Sequence, residues 1–182
     1  MVARRRLDFS TPVAKRARHE PAMVLYRGVR PEMKFLVTNI AHTATTGSTL
    51  TLNQVTQGTT ISGRVGAKIK IWRIDYILAN STGNSFRVDL VINNITGSTI
   101  THAYTDPVNR NSLTLLTTKF HHAGSIPNAR GANVSHKLPV GVISKFTSAA
   151  GTTVNHNQIL ARVTTQATET ITGHFRIWYT DI

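Results

Sequence analysis

Arg4, Arg5 and Arg6, then Lys15, Arg16 and Arg18, then Arg27, Arg30 and Lys34 place nine of the chain's 21 Lys and Arg within its first 34 residues. Only Asp8, Glu20 and Glu32 oppose them, so this stretch holds +6 of the formal +13. The chemistry open to such clusters is neutralisation of phosphates. That attraction is electrostatic and salt-dependent, and it needs neither a fold nor contact with base edges. A surplus of this size compensates about six phosphates per copy. The six cations between Arg4 and Arg18 repel one another unless a polyanion offsets them. The same six form two basic clusters around an eight-residue spacer, the spacing of a bipartite nuclear import signal, which implies an import receptor as a further partner.

A second basic group is Arg64, Lys68, Lys70 and Arg73. Lys68 and Lys70 alternate with Ile69 and Ile71, which puts the two lysines on one solvent face of a strand. Two readings fit them: a surface that touches nucleic acid, or an edge strand guarded by lysine against unwanted pairing. Trp72, Tyr76, Trp178 and Tyr179 could stack exposed bases, but they sit inside strand patterns, where packing is the ordinary role.

Other chemistry finds little support. With no cysteine, disulfides, thiol catalysis and thiolate zinc sites are excluded. His121 and His122 are adjacent, and side chains at successive strand positions point apart, so no metal is expected. Beyond residue 34 the only acids are Asp75, Asp89, Asp106, Glu169 and Asp181, with no paired spacing. No nucleophile motif or phosphate loop is present, so neither an enzyme nor a cofactor nor a small-molecule substrate is expected. No run approaches the ~20 apolar residues of a spanning helix, and no secretory signal follows Arg4–Arg6.

The elements that would position these residues are strands. The body is poor in Glu and rich in Thr, Val and Ile, a composition that favours sheet. Residues 1–33 mix charge with Pro12, Pro21 and Pro31 and show no period, which predicts an arm disordered when unbound. From Lys34 the pattern predicts strands over Lys34–Ile40, Thr49–Val55, Lys68–Ala79, Phe86–Ile92, Ser112–His121, Val134–Ile143, Ile159–Thr165 and Ile171–Ile182. In the third, the apolar phase slips near Trp72–Arg73, the mark of a β-bulge. Arg87 and Asp89 alternate with Phe86, Val88, Leu90 and Ile92, which predicts a half-buried strand. Thr99–Asn111 reads as a long polar connection, and Pro139 as an edge or a bend. About eight strands separated by turns predict an all-β chain: one antiparallel jelly-roll sandwich over residues 34–182.

Four segments then carry a resemblance. Gln57-Gly58-Thr59 with Arg64-Val65-Gly66-Ala67-Lys68-Ile69 resembles the Q-G-T…R-x-G-x-K-I segment of the capsid proteins of circular single-stranded DNA viruses that encode a replication initiator. Ser10–Arg16 resembles the basic N-terminal region of geminivirus-type coat proteins. His136-Lys137-Leu138-Pro139-Val140 resembles a late strand of these capsids, and Phe175–Ile182 resembles their closing strand. The first 34 residues are less arginine-dense than circovirus arms. The resemblance implies a homo-oligomeric icosahedral shell around single-stranded DNA, located in the virion and, during assembly, in the host nucleus. Two alternatives from other classes remain: a single-stranded nucleic-acid-binding or movement protein that never closes a shell, and a carbohydrate-binding sandwich.

Overall fold

The computed structural model describes residues 32–43, 47–60, 62–81, 83–94, 100–108, 113–122, 132–148 and 151–182. The expected arm, with Arg4, Arg5, Arg6, Lys15, Arg16, Arg18, Arg27 and Arg30, lies outside them.

The described residues form nine strands: β1 (Lys34–Thr43), β2 (Ser48–Thr51), β3 (Lys68–Asn80), β4 (Phe86–Asn93), β5 (Leu113–His121), β6 (Ala132–Phe146), β7 (Val154–His156), β8 (Gln158–Thr165) and β9 (Thr170–Asp181). One sheet has the order β1-β9-β3-β6-β7 and the other β2-β8-β4-β5, with every strand pairing antiparallel. Set β7 aside and the eight remaining strands are dealt between two four-stranded sheets in the double Greek-key order of a jelly roll. The fold class is therefore the expected one. β7 is the addition, a short strand that pairs with the end of β6 and was absent from the sequence pattern.

The core follows from alternation. Ile69, Ile71, Ile74, Tyr76 and Leu78 of β3 turn inward with Ile171, Phe175, Ile177 and Tyr179 of β9. Phe86, Val88 and Leu90 of β4 and Ile159, Ala161 and Val163 of β8 meet them from the other sheet. The change of phase in β3 is a register shift between Ile71 and Arg73, seen against both β6 and β9. Opposite Trp72, β6 leaves the ladder over Leu138–Gly141, since Ile71 faces Val142 while Arg73 faces Lys137. Pro139 needs no ladder hydrogen bond there, and Gly141 closes the excursion at φ 73°. Gly173 is constrained differently. It lies in β9 at φ 142°, and a Cβ there would overlap the Ile77 carbonyl and reach within 2.9 Å of Leu78 Cα.

The half-buried reading of β4 fails. Arg87 and Asp89 are as buried as their apolar neighbours, because residues 100–108 cover the outer face of that sheet. Ile100 and Val108 from this connection pack with Val91, Leu113 and Leu160 as a second small core. Its carbonyls are held by two arginines from the sheet. Arg162 donates to Ile100 O at 2.7 Å and His102 O at 2.9 Å. Arg87 donates to Tyr104 O at 3.0 Å and Asp106 O at 2.6 Å. Asp89 supplies the countercharge: its Oδ2 lies 2.8 Å from both Arg87 Nε and His102 Nε2, and its Oδ1 accepts from Thr118 at 2.5 Å.

His121 adds a pH dependence. Its Nε2 lies 2.9 Å from the Tyr76 hydroxyl, and its ring stacks on Phe86. Burial, then the charges of Lys119 and His122, hold it below its ordinary value. Burial and Lys119 lower His136 in the same direction. An unfolded chain takes up these protons at a higher pH than the folded one, so stability is full above the ordinary histidine value and declines as pH falls toward the lowered ones. We expect the melting temperature to drop between pH 7.5 and 5.5, and His121→Phe to shrink that drop. An equal drop in the variant would remove His121 from the account.

Candidate nucleic-acid interface

The register of the five-stranded sheet fixes which side chains share its outer face. Phe35, Trp178, Arg73 and Lys137 form one cross-strand row, and Val37, Arg176, Asp75 and Ser135 the next. Lys70 lies opposite Ile143 and Thr180, and Lys68 opposite Lys145. This face thus carries six cations, Lys68, Lys70, Arg73, Lys137, Lys145 and Arg176, against the single carboxylate of Asp75.

Aromatic rings interleave with the charges. Arg73 Cζ sits 4.2 Å from the Trp178 ring centroid, and Lys70 Nζ sits 4.2 Å from that of Trp72. Arg176 lies 5.2 Å from the Phe35 ring and 5.8 Å from that of Trp178. Phe35 and Trp178 pack together at 5.4 Å. The indoles are oriented by hydrogen bonds: Trp72 Nε1 donates to Thr180 Oγ1 at 3.1 Å, and Trp178 Nε1 to Asp75 Oδ2 at 2.6 Å. Asp75 also pairs with Arg73 Nε at 3.1 Å. Trp72 and Trp178 are half-buried on the surface, whereas Tyr76 and Tyr179 are wholly internal. Burial pushes Tyr179 up to about 12.

Of the cations singled out in the sequence, Lys68 and Lys70 stand on this face beside Arg73. They do not guard an edge, because β3 runs between β9 and β6. Arg64 does not join them. It is fully buried, and its guanidinium donates to Val55 O at 3.0 Å, Ser148 O at 3.1 Å, Gly66 O and Gly151 O, with Phe146 beneath it at 3.8 Å. Its charge holds the 52–67 connection to the end of β6. Lys34 is also turned in, 2.8 Å from Asp181 and 2.9 Å from Gly63 O. Both side chains are engaged by the protein itself, where the sequence predicts contact with nucleic acid.

Lys137, Lys145 and Arg176 are the additions. Alternation in β9 already sets Arg176 and Trp178 opposite Phe175 and Ile177. What it lacks is the strand order that brings β9 beside β3 and β6. Among the described residues no three His, Asp or Glu cluster as a metal site would require. No helix among the described residues is long and apolar enough to cross a membrane.

These features define the class as a single jelly roll with a cationic, aromatic-studded outer sheet face. No family model and no curated protein matches the chain. Among solved structures it is similar to that of infectious bursal disease virus, Gx strain, with a TM-score of 0.32 and 11% identity over 82% of this chain and 32% of that one. This chain spans about a third of the length of that one.

Proposed function

We propose that this protein is a viral capsid protein: a jelly roll that assembles with copies of itself into a closed icosahedral shell and packages single-stranded DNA. Its work is assembly and not chemistry. The N-terminal basic clusters draw in the strand by charge, and the outer face of the five-stranded sheet offers further cations on the folded body. The observation that carries the reading is that face, with six cations against one carboxylate on a jelly-roll sheet. A shell multiplies one weak contact many times, so no single interface has to be strong. DNA as the cargo rests on the motif resemblance. Arg4–Arg6 with Lys15–Arg18 would serve import into the host nucleus before assembly, and packaging would then hide them.

The other reading is a single-strand binding module that stays small. Aromatic residues on one sheet face favour it, and Trp72, Trp178 and Phe35 provide them. Negative-stain microscopy of the purified full chain, with the 260/280 nm ratio followed across a salt series, separates the two. We expect uniform closed particles whose nucleic acid leaves as salt rises. Deleting residues 1–20 is expected to lower nucleic-acid content while circular dichroism still reports the β-body. Small species that bind single strands but never close, at any salt or pH, would transfer the proposal to the binding module.

A further inference from the structure

The cationic face is not flat. It holds two hollows that share Arg73 as a wall. The larger, about 540 Å³, is lined by Trp72, Trp178, Met33, Leu138 and Pro139 beside Arg73 and Lys137. The smaller, about 290 Å³, is lined by Arg73, Asp75, Asn133, Ser135, His174 and Arg176, with Tyr76 and Ile77. One is walled chiefly by rings and aliphatic groups, the other by guanidinium, imidazole, amide and hydroxyl groups with one carboxylate, beside Tyr76 and Ile77.

The chemistry of the walls is complementary. Both indole N–H groups are consumed within the protein, on Thr180 and Asp75. What the tryptophans still offer in the larger hollow is ring surface, which suits a flat unsaturated group and reads no hydrogen-bonding pattern on it. Arg176, which lines the smaller hollow, has a buried Nε with no hydrogen-bond acceptor among the described residues. An anion there would meet two guanidinium groups and also the carboxylate of Asp75, whose Oδ2 is engaged by Arg73 and Trp178 and whose Oδ1 is buried with no hydrogen-bond partner among the described residues. A planar group and an anion held side by side are the two halves of a nucleotide.

We propose that the paired hollows form one nucleotide-unit site for a single strand, the base resting on Trp72 and Trp178 and the adjoining phosphate on Arg73 and Arg176. This deepens the capsid reading and rests on it for the identity of the ligand. Stacking without base-edge hydrogen bonds makes the site indifferent to sequence, as packaging a whole genome requires.

The chain supplies its own probe, because its only two tryptophans are Trp72 and Trp178. Full-length protein, freed of nucleic acid by nuclease and high salt, would be titrated with pentathymidylate, with an abasic phosphodiester pentamer of equal charge, and with dTMP. We expect saturable quenching of tryptophan emission by pentathymidylate and none by the abasic strand. Arg176→Ala is expected to raise the midpoint about tenfold and leave the final quench unchanged. Equal quenching by both pentamers overturns the site, as does a pentathymidylate that binds by anisotropy without quenching. Quenching by dTMP at lower concentration than by the pentamer overturns the assignment to a strand. Closed, nucleic-acid-filled particles without quenching would sink this site and leave the capsid reading standing. Quenching in protein that never closes would do the reverse.

Discussion

Asp89→Ala is expected to destabilise the fold by about 3–5 kcal/mol, because it strips the countercharge from a buried arginine and leaves that charge unpaired. For a body of this size the melting temperature should fall by roughly 6–20 °C. The size of the effect comes from how much the carboxylate holds. Arg87, His102 and Thr118 all converge on it, and Arg87 in turn holds the carbonyls of Tyr104 and Asp106. Loss of Asp89 therefore loosens residues 100–108 from the sheet they cover. Amide exchange should show this directly, with protection lost first in 100–108 and in β4–β5, while β1, β3 and β9 keep theirs. Asp89→Asn retains one acceptor and should cost less. A variant with unchanged stability and an unchanged exchange pattern would mean that the ion pair is incidental to the fold.

The second large effect concerns binding. Replacing Arg73, Lys137 and Arg176 together by alanine removes three of the six cations from the outer face. For single strands each phosphate contact contributes about 0.7 to the salt slope, so the triple variant should lose about 2 from that slope and about 100-fold in affinity at 0.1 M salt. The readout is the slope of log K against log salt for a labelled oligothymidylate. Circular dichroism controls for the loss of the Arg73–Asp75 pair, which sits at the surface and should contribute little to stability. Should the slope stay at the wild-type value, the N-terminal clusters carry the strand alone and the sheet face faces something else.

Much of the fold is visible as alternation. The bulge in β3 can be read from Ile69 and Ile71 giving way to Ile74, Tyr76 and Leu78, because one inserted residue flips every side chain after it. β9 shows both its core face and its Arg176–Trp178 face in one stretch of sequence. Burial of Arg87 and Asp89 is not visible in this way. Alternation tells which side of a strand a residue takes, but the cover on that side is residues 100–108, a polar connection with no period of its own. Arg64 and Lys34 are hidden for a related reason. Their partners are carbonyls, and the Asp181 that pairs with Lys34 is 147 residues away. The cationic face needed the strand order as well. Lys137 and Arg176 do not stand out in their own segments and join Arg73 in one surface only when β6, β3 and β9 lie side by side. The segments of the R-x-G-x-K-I motif and the closing strand also gain a meaning. Val65 N donates to Asp181 Oδ1 at 3.1 Å while Lys34 bridges Asp181 and Gly63, so the two segments meet at one structural lock.

β9 lies between β1 and β3, with Lys34 facing Tyr179 and Thr43 facing Thr170. The consequence is one of timing. As the chain leaves the ribosome, β1 and β3 are made early, but neither has its shared neighbour until residues 170–181 follow. Such long-range pairing folds slowly and leaves strand edges open in the interval, where crowded copies can stick to one another. A half-made copy also lacks Arg176 and the Trp178 ring that both arginines approach. Folding and the completion of the cationic face are thus one event, and a chain interrupted before β9 has neither.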